Sequence, residues 1–571
     1  MSTVPAGTAP ARRAGLFALL VVLAAAASLA FLVYRRVIAP AGLLTWDEGY
    51  HALRALRAAV ELREGSFVRL AYDAYRSVYW PPLHALYVGV LFLLFGSTAE
   101  VARASSLPAL VAAAGFLAAS ALRARGAAAA LVAGFGFLLV PSIAYLSGTA
   151  YLELPALALF ALALFLYVSG RHPVLLGLSV FATYLARTNY GVLFALGLTV
   201  ALAWDASLGR HLPPGDPRLA ARRDALRTLA ALAVPLALWF AYPPKIAHTV
   251  AALVNVPLGP APFTAEGLLF YPRVAVQLAG SGPLLALYVV AVGLSLTRRG
   301  LRDRSVRLAV LLVLLQAVFA ELSHTKATRH ILPLALLLPL LLGIQVSDAW
   351  TRGSVVFRTA LLGIGGLLVA WQSVGVASVL RPARSRGPEV VRDLLLLETG
   401  RGGRTAFVAS EDAPIPPATC DFELVAGGIL PLDGAGALRT AGEVRVAESA
   451  LPLPGPLARR LRAEAGRWPG TGSYSVYIGL PRGDAALRWT PGNFPGRFAA
   501  LLARAPVDRV VALADREGAS FPVTPAYLES TLSGLGFALE SSFHPSPGME
   551  LLTFRKVESP APGTAPGPPA P

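Results

Sequence analysis

The sequence predicts an all-α polytopic membrane domain followed by a small extracytoplasmic α/β domain. Three observations predict it. Hydrophobic residues make up 55% of the 571 and charged residues only 15%, against about 25% charged in an ordinary soluble domain. Apolar runs recur from the N-terminus to about residue 380, many of them near the roughly 20 residues that cross a bilayer as a helix. Beyond 380 the runs give way to short strand-like and helix-like pieces. So few charged side chains cannot cover one large water-soluble core, and lipid must cover the rest.

The first run covers about 14–34 and follows Arg12 and Arg13. Ser28-Leu29-Ala30 passes as a signal-peptide cleavage site. The run is long for a signal peptide and Arg35 and Arg36 follow it, so it reads as an uncleaved helix. Later runs lie near 104–122, 127–146, 150–169, 174–187, 190–204, 226–242, 274–296, 307–321, 331–347 and 357–379. With the N-terminus inside, alternation puts Arg123, Arg125, Arg171, Arg210, Arg218, Arg222, Arg223, Arg298, Arg299, Arg302, Arg304 and Arg352 in inside loops. Arginine-rich short loops gathered on one side are what the positive-inside rule requires.

The apolar stretch at 83–95 has only 13 residues, too few to span. Counting it as a span would turn every basic loop outward. It is therefore expected as an interfacial or re-entrant segment within the first outer loop, 37–103. About eleven spans from an inside start leave the C-terminus outside. The expected organisation is a membrane domain at 1–380, an extracytoplasmic α/β domain at 381–558, and a disordered Pro/Ala/Gly-rich tail at 559–571. In the α/β domain, strands are expected at 404–410, 474–480, 507–514 and 550–555, and helices at 496–505 and 525–534.

The net charge of +17 would suggest nucleic acid on a soluble chain. Here the arginines sit between apolar runs and no aromatic-interleaved basic stripe is present, so no nucleic-acid partner is expected. The one cysteine, Cys420, excludes an intramolecular disulfide and a cysteine zinc cluster. The only lysines are Lys245, Lys326 and Lys556. That bias, with much Ala, Gly and Pro, suggests a GC-rich bacterial genome and hence the cytoplasmic (inner) membrane.

Three clusters face the outer side. Thr45-Trp46-Asp47-Glu48-Gly49-Tyr50-His51 opens the first outer loop. Paired acids there also suit the first turn of a helix, where the dipole favours them and Thr45 can cap. The loop continues amphipathically through Arg54, Arg57, Glu61, Arg63 and Glu64, as an interfacial helix would. Glu153, in Tyr151-Leu152-Glu153-Leu154-Pro155, sits at the outer end of a span; an acid at membrane depth is costly and so a functional candidate. The third cluster runs from Glu321 through His324, Lys326, Arg329 and His330 to Pro333. It is cationic where positive charge is not expected, and an outer phosphate would explain it. Arg187 and Lys245 are further outer cations. Carboxylates and cations facing one leaflet suit transfer from a lipid phosphate: a carboxylate takes a proton from an acceptor hydroxyl, and cations stabilise the departing phosphate.

With these residues in view, the sequence resembles the GT-C class of glycosyltransferases, in the branch of protein O-mannosyltransferases and lipid A aminoarabinose transferases. Trp46-Asp47-Glu48-Gly49-Tyr50-His51 after the first span and Pro81-Pro82-Leu83-His84 before a short apolar segment carry the resemblance. Arg329-His330-Ile331-Leu332-Pro333 is similar to that branch's Arg-Tyr-x-Leu-Pro element, with His330 in place of Tyr. Glu153 stands where the second acidic motif often has Asp.

The resemblance covers roughly 14–350 and implies a hexosyl or pentosyl donor on a polyprenyl monophosphate, displaced in line with inversion. It implies Asp47 as base with Glu48 beside it, and Glu153 orienting acceptor or base. It implies Lys326 and Arg329 on the lipid phosphate, with Arg187 and Lys245 as further candidates. Tyr50, His51, Trp80, His84 and His330 are substrate-pocket candidates. The acceptor is a lipid, glycan or protein of the cell envelope. Carboxylates can hold a divalent cation, but monophosphate-donor members of the class are thought not to need one, so no metal is expected. The alternatives are an ion- or proton-coupled transporter, which would often show internal repeats that this sequence lacks, and a non-catalytic relative, which would have lost the acids.

Overall fold

The computed structural model describes residues 9–241 apart from 43, 45, 77–80, 171 and 208–216. It further describes 243, 245–247, 249, and 260–380 apart from 324 and 325, then 405–410, 419, 422, 475–480, 508–515, 525–546 and 549–557. Trp80, Arg171, Arg210, His324, Cys420, the piece at 496–505 and the tail at 559–571 lie outside the described residues. The described residues form two compact units. Residues 9–41 and 58–380 belong to the first; residues 42–57 and those from 405 onward belong to the second.

The first unit is helical, and the apolar runs read from the sequence fall on its helices, two of the runs being divided between a pair. The helix α1 (Ala9–Val33) continues into a π-turn, Tyr34–Ile38. The amphipathic stretch forms α2 (Trp46–Arg63), whose residues up to 57 belong to the second unit, and α3 (Phe67–Arg76). The short apolar segment is α4 (Pro82–Phe95), and α5 (Ala99–Ala104) leads into α6 (Ser106–Arg125). Then come α7 (Ala127–Leu138), α8 (Pro141–Ser147), α9 (Glu153–Ser169), α10 (Pro173–Ala186), α11 (Thr188–Ser207) and α12 (Pro217–Trp239). The unit ends with α13 (Ala265–Ala279), α14 (Gly282–Ser295), α15 (Arg298–Arg302), α16 (Arg304–Leu322), a 3-10 turn at Thr328–Ile331, α17 (Leu334–Arg352) and α18 (Val355–Val379).

Among the described residues five helical stretches are long and apolar enough to cross a bilayer, or up to seven if each of two bent pairs is one span. Three more apolar helices, Pro82–Phe95, Glu153–Ser169 and Pro173–Ala186, are shorter. The chain is a multi-pass membrane protein.

Two runs expected as single spans are broken: 127–146 divides into α7 and α8, bent by 64° at Pro141, and 274–296 divides into α13 and α14, which meet at 107°. Gly280 ends α13 in the left-handed region at φ +77, which side chains with a Cβ rarely adopt. Ser281 then accepts from the Leu284 N–H at 3.3 Å and restarts the helix. Gln372 of α18 donates from Nε2 to the Ala279 carbonyl at 2.5 Å, at the same break.

The core is rich in small residues: Ala109, Ala113, Ala118 and Ala121 of α6 pack with Ala130 and Ala133 of α7 and Ala156 and Ala163 of α9. In a membrane, close backbone approach replaces the hydrophobic drive between helices. Gly177 of α10 shows the limit, since a Cβ there would lie 2.4 Å from the Thr228 carbonyl of α12.

Side-chain contacts sort the helix ends into two sets. Arg125, ending α6, pairs with Asp303 at 2.7 Å and with Asp348 of α17 at 3.0 Å. Asp205 of α11 pairs with Arg307 and Arg304 of α16. These are ends that the charge rule assigns to one side. At the ends it assigns to the other, Tyr34 donates to Glu100 at 2.5 Å and Arg187 meets Glu153 at 2.6 Å.

The second unit contains a five-stranded sheet of order β2-β1-β3-β5-β4. Strands β1 (Thr405–Ser410), β2 (Ser475–Leu480) and β3 (Arg509–Asp515) run parallel. After the helix α19 (Pro525–Gly534), β4 (Phe537–Ser546) and β5 (Met549–Lys556) complete it antiparallel. Leu528 and Leu532 of α19 are buried, as are Val510, Leu552 and Phe554. Four strands and α19 fall on stretches expected from sequence. Strand β4 does not, because two irregularities, at Leu539/Ser541 and Phe543/Ser546, break its alternation.

Candidate active site

In the first unit a chain of polar contacts joins three helix ends. Glu153 is the first residue of α9 and is 1% exposed; an acid in a first turn is favoured by the helix dipole. Arg187 is the residue between α10 and α11, with extended backbone at φ −156. Its Nη1 donates to Glu153 Oε1 at 2.6 Å. Its guanidinium lies 5.1 Å from the ring centre of Tyr190, within cation–π range. The Tyr190 hydroxyl donates to the Arg329 carbonyl at 2.6 Å. Among the described residues, Glu153 Oε2 and Arg187 Nε have no hydrogen-bond partner.

Two further cations are sequestered. The Lys326 side chain is fully buried and meets Glu321 Oε2 at 3.2 Å. It also points to the Ala320 carbonyl at 3.4 Å and lies 5.2 Å from the Tyr271 ring. The other oxygen of Glu321 accepts from the Phe263 N–H at 2.7 Å, and Phe263 is held at φ +58. Lys245 lies 4.3 Å from the Trp239 ring and 5.0 Å from the Tyr75 ring, and donates to the Tyr75 carbonyl. Arg329 and His330 are half-buried on the 3-10 turn, and His84 is buried on α4. Glu61 and Arg69, of α2 and α3, pair at 3.2 Å.

In the second unit Asp47 and Glu48 occupy the first turn of α2, where the helix dipole favours acids. Both are buried, as is His51, while Tyr50 is half-buried. The Thr419 hydroxyl donates to the Leu44 carbonyl at 2.9 Å, tying the segment before α2 to the chain beyond residue 405. Among the described residues no three His, Cys, Asp or Glu side chains come together as a metal site would need.

The structure thus brings together Glu153, Arg187 and the Arg329 backbone, and sets Lys326 and Lys245 in separate surroundings. Arg187, expected on a phosphate, is on an acid. Sequence reasoning missed Tyr190, Tyr271, Tyr75 and Trp239 as partners of these charges. Tyr190 follows Arg187 by three positions, a spacing that could have marked it; Tyr75 and Tyr271 lie far along the chain from the lysines they meet, and their spacing carries no such sign.

No protein-family model matches the sequence, and none of the curated proteins does. Solved structures do. ArnT from Cupriavidus metallidurans bound to undecaprenyl phosphate superposes with a TM-score of 0.54 at 14% identity, over 93% of this chain and 97% of that one. The apo state of the same protein gives 0.51 at 15% identity, over 94% and 97%. The Archaeoglobus fulgidus oligosaccharyltransferase in apo form gives 0.51 at 11%, over 87% and 70%. ArnT is a lipid A aminoarabinose transferase, and both proteins are GT-C glycosyltransferases. The likeness is one of fold: this chain has the GT-C fold that the motifs around Asp47 and Arg329 led us to expect over 14–350, and the superposition covers 93% of it.

Proposed function

We propose that the chain is an inverting glycosyltransferase that moves a hexose or pentose from a polyprenyl monophosphate to an acceptor hydroxyl. The acceptor is a lipid, glycan or protein of the cell envelope. The membrane is the bacterial cytoplasmic membrane, the reaction lies on its outer face, and the N-terminus is cytoplasmic. About eleven spans and an extracytoplasmic C-terminal domain complete this reading. The acceptor oxygen bonds to the anomeric carbon while that carbon's bond to the phosphate oxygen breaks. Asp47, with Glu48 beside it, takes the acceptor proton. The polyprenyl phosphate leaves with both electrons of the broken bond, and Lys326 and Arg329 stabilise it.

The observation that carries the reading is the buried Glu153–Arg187 pair within a fold shared with a protein whose structure holds undecaprenyl phosphate. Burying a charge pair costs more desolvation than stability alone justifies. An oxygen and an N–H left over on that pair are positioned to meet a third group. On this reading Glu153 orients the acceptor or the base. Arg187 fixes Glu153 and adds positive charge for the donor. Tyr50, His51, Trp80, His84 and His330 are the candidates for the substrate pocket, and Lys245 joins Arg187 as a further candidate for the donor phosphate.

The test is sugar transfer in purified membranes with labelled polyprenyl-phosphate sugars, comparing wild type with Asp47→Asn at matched expression. Wild-type transfer with a loss of about a hundredfold or more in the variant supports the base role. Equal transfer by both removes Asp47 from it. No transfer, together with no binding of polyprenyl phosphate, refutes the glycosyltransferase reading.

A further inference from the structure

Residues 42–57 and those from 405 onward form one compact unit, so the segment bearing Asp47 and Glu48 is folded with the C-terminal sheet and not with the helical bundle. Within that unit Thr419 reaches the start of the segment. Its hydroxyl donates to the Leu44 carbonyl at 2.9 Å, across 375 positions of chain. Leu44 stands two residues before α2 and three before Asp47. Thr419 and Leu44 are both fully buried, which keeps bulk water from replacing the bond.

The partner is an unusual one for a helical hydroxyl. Thr419 is helical, and a helical Ser or Thr can bond back to the carbonyl four positions earlier on its own helix. Ser120, Ser147, Thr183, Thr199 and Thr228 all do so. A hydroxyl has one hydrogen to donate, and Thr419 gives it to a distant segment instead. Phe422, three positions on and so on the same helix face, is fully buried as well.

We infer that Thr419 is a positioning residue for Asp47: through this hydroxyl the C-terminal domain holds the backbone from which α2 begins. The inference rests on the transferase reading above, which makes Asp47 the base. A base must come within about 2.6–3.2 Å of the proton it takes, and a misplacement of about 1 Å can cost a hundredfold in rate. Without the hydroxyl the first turn of α2 keeps its helical hydrogen bonds and loses its fixed origin. The C-terminal domain thereby takes part in the reaction by presenting the acid to the acceptor.

The test measures transfer from labelled polyprenyl-phosphate sugars by the full chain in purified membranes, expressed per undecaprenyl phosphate bound, so that misfolded molecules drop out. Thr419→Val keeps the shape of the side chain and removes the donor. It should lower maximal transfer about 3- to 10-fold, the effect of one lost hydrogen bond, and leave the donor KM within about twofold. Thr419→Ser keeps the donor and should return transfer to within about twofold of wild type. In an Asp47→Asn background Thr419→Val should lower transfer no further, because its effect passes through the position of that carboxylate.

A lowered maximal rate, rescue by serine and loss of the effect without Asp47 support the inference together; a threonine that only stabilised its domain would lower transfer whether or not Asp47 is present. Wild-type transfer per bound lipid in Thr419→Val overturns the inference while leaving the transferase reading in place, and so does an undiminished loss in the Asp47→Asn background. Equal transfer by wild type and Asp47→Asn removes the base from the transferase reading, and the inference with it. Failure of the wild type both to transfer sugar and to bind undecaprenyl phosphate overturns the transferase reading as a whole.

Discussion

Removing Arg187 should destabilise the membrane domain far more than removing Arg187 and Glu153 together. Glu153 is 1% exposed, and the Arg187 side chain 11%. Arg187→Met keeps the length of the side chain and deletes its charge, which leaves a buried carboxylate without its partner at 2.6 Å. Breaking a buried pair this way costs about 3–5 kcal/mol, whereas replacing both members with apolar residues of similar volume is often neutral or stabilising. Arg187→Met should therefore lose about 3–5 kcal/mol, and Glu153→Leu combined with Arg187→Met should regain most of it. Stability can be read from tryptophan fluorescence during SDS-driven unfolding in mixed micelles. Transfer, measured in the same membranes, should be lost in both variants, because the double variant restores packing and not chemistry. An Arg187→Met protein as stable as wild type would refute the energetic argument. A double variant that still transfers sugar would refute the functional one.

Two other sites give predictions of the same kind. Gly280→Ala forces a Cβ into the left-handed region at φ +77 and to 2.2 Å from Gln372 Oε1. It should cost about 1–3 kcal/mol and release the link between α18 and the α13–α14 break; unchanged thermal stability in detergent would count against that hinge. Lys245→Met removes a cation from between Tyr75 and Trp239. It should cost about 1–2 kcal/mol and speed amide hydrogen exchange at the C-terminal end of α3, and unchanged exchange there would show that Lys245 does not hold α3.

Much of the helical framework was legible because an apolar run of spanning length has few other uses. What hydropathy cannot see is a change of backbone direction inside such a run. Residues 274–296 stay apolar across Gly280-Ser281-Gly282-Pro283, yet the left-handed glycine and the proline divide them into two helices. Strand β4 was invisible for a related reason, since its irregularities erase the alternation by which a strand is read. The acids were legible as charges where charge is expensive. Their partners were not: Arg187 lies 34 positions from Glu153, and the loop chemistry that suggests a phosphate for Arg187 serves an internal carboxylate equally well. The aromatic surroundings of Lys245 required the packing of α3 against the residues that follow α12.

The two sets of helix ends differ in how they treat charge, and that difference bears on which end works. At the end carrying Arg125, one guanidinium is shared between Asp303 and Asp348, and Asp205 takes both Arg304 and Arg307. Arg125, Asp303, Asp348, Asp205 and Arg304 keep about 20–40% of their side-chain surface exposed, while Arg307 is buried. At the other end Lys326 and Arg187 are buried on single carboxylates, and Lys245 is buried against two aromatic faces and a backbone carbonyl. A bundle selected for stability alone would place its cations in the first arrangement, because desolvation is cheaper there and each charge has several partners. Burial with few partners costs stability, and such sites are retained where perturbed charges are put to use. On the proposed function the working end is the one where Glu153, Arg187, Lys326 and the Arg329 turn lie, and charge-neutralising substitutions there should impair transfer more than equivalent ones around Arg125.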